Sequence, residues 1–195
     1  AYAPSMGPIP FIQVGSEFNN SIKSALIQYD DISLREVDTA SRINKILGTE
    51  CQVNLDPTLL LCADDWDKLI DSKPLINEPY LFLYTPFFKK EVFQLAKKWA
   101  DNLKIKIVVS QTYGVVDCTW LYDGNFRPYF VAGPKEFLNL CKYATGIIGS
   151  SFHIVAFAVI LQKPFWAVNG LKDSRVVNFL RLVGLESRSI EQTKN

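Results

Sequence analysis

Apolar residues recur along this chain at two spacings, and the change from one to the other predicts alternating strands and helices. Between Ser16 and Tyr29 the apolar positions Phe18, Ile22, Ala25, Leu26 and Tyr29 fall three or four residues apart, which predicts a helix that Ser16 can cap. A short strand over Asp31–Leu34 precedes a helix over Val37–Leu47, closed by Gly48 in the left-handed conformation. Cys51–Leu55 reads as a strand, and Asp56-Pro57 breaks it, because proline biases the residue before it away from helix. Ala63–Ile70 suggests a short helix, and the polar stretch Asp71–Pro79 is the best linker candidate.

A second series begins at Tyr80. Tyr80–Tyr84 is a buried strand, Lys89–Asn102 a helix with Val92, Leu95, Ala96 and Trp99 inward, and Ile105–Val109 an apolar strand. Strand, helix and strand in that order imply a parallel pair with a crossover, the unit of a Rossmann-like sheet. Tyr113–Pro128 reads as irregular, with Trp120 and Tyr122 either lining a pocket or closing the core. Pro134–Tyr143 is a helix with proline in its first turn. Thr145–Gly149 is a short strand, Pro164–Val168 another, and Ser174–Val183 a last helix ended by Gly184.

The candidate chemistry lies between those last strands. An apolar run breaks at Gly149-Ser150-Ser151 and resumes with Phe152, Val155, Ala156, Val159 and Ile160 at helical spacing, so His153, the only histidine of the chain, falls in a first helical turn. In an α/β sheet such a junction faces the crevice where ligands bind. The N–H groups of that turn, with Ser150 and Ser151, suit an anion such as phosphate. Serine is also an ordinary N-cap, and a histidine near a helix start is often a surface or core residue, so position alone does not decide.

Composition adds exclusions. With 48% hydrophobic and 13% aromatic residues the chain can bury a sizeable core, and a net charge of +1 advertises no nucleic-acid surface. Cys51, Cys62, Cys118 and Cys141 are scattered without a C-x-x-C pair, which makes a metal site improbable and suggests reduced thiols. No apolar stretch of membrane-spanning length and no signal peptide is present, so a cytoplasmic location is expected.

Several blocks in order carry a resemblance. From Gly133, GPKEFLNLCKYATGIIGSSFHIVAFAVILQKPFWAV holds GP-EF-L, SFH and KPF elements; AYAPSMG opens the chain; DISLREVDTA contains Ser-x-Arg-Glu; NLDPTLLL and DSRVVNFLRLVGLESR complete the set. Together they resemble the polysaccharide pyruvyl transferases. The family usually has a small residue after the histidine of SFH, whereas Ile154 stands here.

The resemblance implies a GT-B-like enzyme of two Rossmann-like lobes. It makes residues 1–53 the last strand-helix units of a first lobe and 54–195 the C-terminal lobe, a fragment expected to be inactive alone. It further implies phosphoenolpyruvate as donor substrate, with no other cofactor, and a saccharide of a surface polysaccharide as acceptor. His153 becomes the general acid or base, Arg35 a ligand for a substrate anion through its planar fork, and Ser150, Ser151 and Phe152 the phosphate-holding segment. Arg35 also reads as a surface arginine paired with Glu36 or Asp38. Two other functions stay open: a GT-B glycosyltransferase using a nucleotide sugar, and an isolated lobe without catalysis.

Overall fold

The computed structural model describes residues 1–5, 16–86, 90–110, 123–130, 132–169 and 172–191; Trp120 and Tyr122 lie outside them. The chain forms two compact units, Ala1–Leu60 with Lys172–Gly184, and Leu61–Leu171 with Leu185–Asn195. This division falls after Leu60 rather than after Val53, and it returns a late segment to the first unit. The hydrogen bond from Asn54 N–H to the Leu34 carbonyl, 2.8 Å, and the pairing of Asp56 with Arg35 tie the residues past Val53 to that unit.

In the first unit, helix α1 (Ser16–Leu26) leads to strand β1 (Ser33–Leu34), helix α2 (Val37–Leu47) and strand β2 (Gln52–Val53), which pairs in parallel with β1. Ala1–Pro4 runs along the other edge of β1, where Ser33 N–H donates to the Ala1 carbonyl at 2.9 Å. Leu34, Ala40, Ile43 and Cys51 form the core, with Ile22 and Leu26 packed against it. Gly48 closes α2 at φ 76° and donates its N–H to the Asn44 carbonyl, the conformation its position predicts. The first helix ends at Leu26, short of Tyr29, and Phe18 and Tyr29 are exposed; the buried stripe is narrower than the spacing suggests. The C-terminal helix Ser174–Leu182 also belongs here, capped by the Asp173 carboxylate.

The second unit contains α3 (Ala63–Asp67), β3 (Tyr80–Tyr84), α4 (Lys90–Leu103), β4 (Lys106–Ser110), β5 (Phe126–Pro128), α5 (Pro134–Tyr143), β6 (Gly146–Gly149), α6 (Phe152–Ile160), β7 (Phe165–Val168) and β8 (Ser189–Ile190). Its strands make one parallel sheet in the order β5-β4-β3-β6-β7-β8. From β3 the chain winds outward to β5, then returns to β6 on the other side, so the strand order reverses between β3 and β6. The fold is thus an α/β Rossmann-like sheet, as expected. One face packs Leu81, Leu83, Ile107, Val109 and Ile148 against Val92, Phe93, Ala96 and Ala100 of α4. On α5 and α6, Phe137 meets Phe82, Tyr84 and Phe157 edge to face, and Trp66 extends the series from α3.

In the strands and connections of the second unit, three features differ from the expectations. β5 lies in a stretch read as irregular: it is only three residues long and ends in Pro128, tolerable at an edge, while Phe126 anchors it by stacking on Phe93 at 5.5 Å. β8, two residues long, offers no periodicity to detect. The stretch Asp71–Pro79 is inside the second unit and is pinned. The buried Asn139 side chain accepts from Leu75 N–H at 3.0 Å and donates to the Lys73 and Asp71 carbonyls at 2.9 and 3.3 Å. Tyr143 adds a hydroxyl bond to the Ser72 carbonyl at 2.8 Å.

Because Asn139 satisfies three backbone groups from a buried position, Asn139→Leu should cost about 2–4 kcal/mol in urea unfolding, roughly one per bond plus desolvation of the abandoned partners. A loss below about 0.5 kcal/mol would show that water replaces these bonds without cost.

Candidate functional site

A parallel α/β sheet gathers ligands outside the carboxyl ends of its strands where their order reverses. Here that point is the pair Tyr84 and Gly149, the last register partners of β3 and β6. Gly149 has no space for a side chain: a Cβ there would lie 2.3 Å from Ile154 Cγ2 and 2.8 Å from the Tyr84 carbonyl oxygen. Ile154 is fully buried against this bare backbone. The residue that departs from the family pattern is therefore core packing, and the close approach involves the glycine before the serines.

The expected segment Ser150–His153 leaves β6 from this contact. Ser150 N–H donates to the Tyr84 carbonyl at 3.3 Å, and its Oγ lies 2.8 Å from Oγ1 of Thr85, a buried residue just past β3. Ser151 holds the N-cap position of α6 in extended conformation, but its side chain makes no capping hydrogen bond. The first-turn N–H groups, which a helix leaves without intrahelical acceptors, are thus not served by this serine. Helix α6 is buried on almost every side, from Phe152 and Ile154 through Ala158, where a single buried face is expected from the spacing. His153 is exposed within that turn, its ring edge-on to Phe152 at 5.5 Å, so the alternative of a core histidine does not hold.

Arg35 belongs to the first unit, where residues of the other blocks converge at strand ends. Ser5 follows the Ala1–Pro4 segment, Arg35 follows β1 and Asp56 comes three residues after β2. Arg35 Nε donates to the Ala3 carbonyl at 2.7 Å, and its Nη1 pairs with the Asp56 carboxylate. Asp56 is fixed in turn by the Thr58 N–H and hydroxyl, at 2.9 and 2.7 Å. Neither Glu36 nor Asp38 is the partner of Arg35: Glu36 is buried, accepts from the Ser5 hydroxyl, and has one oxygen with no hydrogen-bond partner among the described residues. Arg175 is clamped by Asp173 through Nε and Nη2, at 3.0 and 2.6 Å. That bond holds its guanidinium above the ordinary pKa against partial burial, with the charges of Asp173, Glu36 and Asp56 adding to it. Within this unit the buried carboxylates Glu36 and Asp56 thus take Ser5 and Arg35 as partners, and their charges also act on the half-buried Arg175. Ser5, Asp56 and Arg175 lie in three separate blocks of the sequence, and no local spacing connects them.

Among the described residues no group of histidine, cysteine and carboxylate side chains is arranged to hold a metal ion. None of their helices is long and apolar enough to cross a membrane. The profile of the polysaccharide pyruvyl transferase family matches residues 1–170. The chain belongs to that family. No curated protein matches it. Solved structures similar to this chain include the UDP-GlcNAc 2-epimerase of Methanocaldococcus jannaschii in complex with UDP-GlcNAc and UDP. That likeness has 15% identity and TM-score 0.45, and covers 83% of this chain and 44% of the other. The UDP-N-acetylglucosamine 2-epimerase of Rickettsia bellii is similar at 18% identity and TM-score 0.45, over 82% and 47%. The chain spans less than half the length of either structure.

Two stability predictions follow from these contacts. Gly149→Ala should destabilise by about 1–3 kcal/mol through overpacking, and Ile154→Ala should relieve the Gly149→Ala clash in the double variant, so that the two costs do not add. Additive losses in thermal or urea unfolding would contradict the close contact. Asp56→Asn should cost about 3 kcal/mol, at the low end for a buried pair because Arg35 retains 20% side-chain exposure. An Asp56→Asn protein within about 0.5 kcal/mol of the parent would show that the pair is solvated.

Proposed function

We propose that this chain takes part in moving the enolpyruvyl skeleton of phosphoenolpyruvate onto two hydroxyls of a surface-polysaccharide saccharide, forming a pyruvate ketal in the cytoplasm. Family membership over residues 1–170 carries the reading. The position of the SFH element at the reversal of strand order supports it, since that is where an α/β sheet collects a phosphate.

The reaction balances without a redox partner. One proton joins the methylene carbon of phosphoenolpyruvate, two hydroxyl oxygens bond to the central carbon, and the bond to the phosphate oxygen breaks. Two hydroxyl protons are released: one replaces the proton given to carbon and the other departs with inorganic phosphate. In this reading His153 delivers the proton to carbon as an exposed general acid and recovers it from a hydroxyl. Ser150, Ser151 and the N–H groups at Phe152 and its neighbours receive the phosphate, where the helix N-terminus favours negative charge. The Ser150 N–H is not among them, because it is bonded to Tyr84. Arg35 meets a substrate anion through Nη2, its Nε and Nη1 being held by Ala3 and Asp56.

The same strand order would also accept the diphosphate of a nucleotide sugar, so ligand choice separates the two chemistries. Phosphoenolpyruvate should raise the melting temperature, by an amount corresponding to about 2.7 kcal/mol at a hundred times its Kd, while a nucleotide sugar should not. Stabilisation by the nucleotide sugar alone would replace this reading with glycosyl transfer. In the intact transferase, His153→Gln should lower kcat by on the order of 10²- to 10⁴-fold with the fold retained. A near-normal kcat would remove His153 from the chemistry. Arg35→Lys keeps a charge beside Asp56 but loses the planar fork, and should weaken phosphoenolpyruvate binding by about 1.5–3 kcal/mol. Unchanged affinity would leave Arg35 a purely structural ion pair.

A further inference from the structure

We propose that Thr85 is a positioning residue that fixes the direction of the Ser150 hydroxyl, so that Ser150 presents its proton to the phosphate group of the substrate. The inference rests on the reading of this rim as a phosphate site and adds a residue that none of the sequence blocks contains.

Thr85 and Ser150 occupy equivalent places on neighbouring strands. Each stands one residue beyond a register pair, Tyr84 on β3 and Gly149 on β6, at the point where strand order reverses. Their hydroxyl oxygens are 2.8 Å apart, a full hydrogen bond in which either is able to donate. Only one assignment suits an anion. If Ser150 donates to Thr85, its lone pairs face the ligand and repel phosphate oxygens. When Thr85 donates instead, the single Ser150 proton is left for the ligand, and the bond between the two hydroxyls polarises it further. The surroundings hold both groups in place. Thr85 is 1% exposed, and its branched side chain is stiff at χ1. The Ser150 backbone is tethered through its N–H to the Tyr84 carbonyl. Gly149, packed against Ile154 and the same carbonyl, fixes the strand end that carries Ser150.

The role is indirect, so its signature is coupling. Calorimetric titration of the 195-residue chain with phosphoenolpyruvate should show Thr85→Val weakening binding about tenfold, Thr85→Ser staying within about threefold, and Ser150→Ala losing about as much as Thr85→Val. In the Ser150→Ala background, Thr85→Val should cause no further loss, because the group it directs is gone. Thr85→Ala serves the same cycle if Thr85→Val does not fold, and melting temperatures separate weak binding from unfolding. Equal affinity of the parent and the Thr85 variants, or a full additional loss in the Ser150→Ala background, would overturn the proposal. Should the chain bind UDP and not phosphoenolpyruvate, the donor assignment fails while the same cycle read with UDP still decides the role of Thr85. Binding of neither probe would overturn the positioning role along with the phosphate site.

Discussion

The contact of β3, β6 and α6 at Gly149 is the constraint on which the second unit depends. The bare backbone lets the Tyr84 carbonyl and Ile154 close in from two sides, which sets where the strand ends and where the helix begins. From that one junction follow the tether of Ser150, the N-cap position of Ser151 and the exposure of His153 on an otherwise buried helix. A chemical group is thereby held at a solvent-facing rim by a helix that has little freedom to move, because its remaining faces are filled by close-packed side chains.

The first unit solves a different problem. Its strands are short, β1 and β2 being two residues each, and the Arg35–Asp56 ion pair joins their ends alongside backbone hydrogen bonds. Two guanidinium groups, Arg35 and Arg175, stand among three carboxylates, Glu36, Asp56 and Asp173, so the network has no surplus of positive charge. The buried carboxylates Glu36 and Asp56 are stable only in company, since an isolated buried ion meets the full desolvation cost. The arrangement makes Arg35 rigid and links residues from four separate stretches of chain. Its geometry is therefore a property of the whole unit.

Much of the fold was legible in the sequence where periodicity was long enough to read. The strand–helix–strand series from Tyr80 to Val109, the Gly48 stop and the break at Gly149-Ser150-Ser151 all appear in the structure near their expected places. The strands at Phe126–Pro128 and Ser189–Ile190 were not legible, because two or three residues have no period. Asp71–Pro79 looked like a linker because its composition is polar, yet its backbone is bound by Asn139, a partner more than sixty residues away. The candidate site divides in the same way. Ser150, Ser151, Phe152 and His153 form a contiguous run that is visible in the sequence, whereas Thr85 in the second unit and the partners of Arg35 in the first are each brought to their neighbours only by folding.

The central claim is that the switch point between β3 and β6 receives the phosphate of an enolpyruvyl donor. A crystal structure with phosphoenolpyruvate bound tests it directly. The account predicts a phosphate oxygen within hydrogen-bond distance, about 2.6–3.2 Å, of Ser150 Oγ and of a first-turn N–H of α6, with the His153 ring beside the methylene carbon. Phosphoenolpyruvate seated away from the Ser150–His153 segment would contradict it.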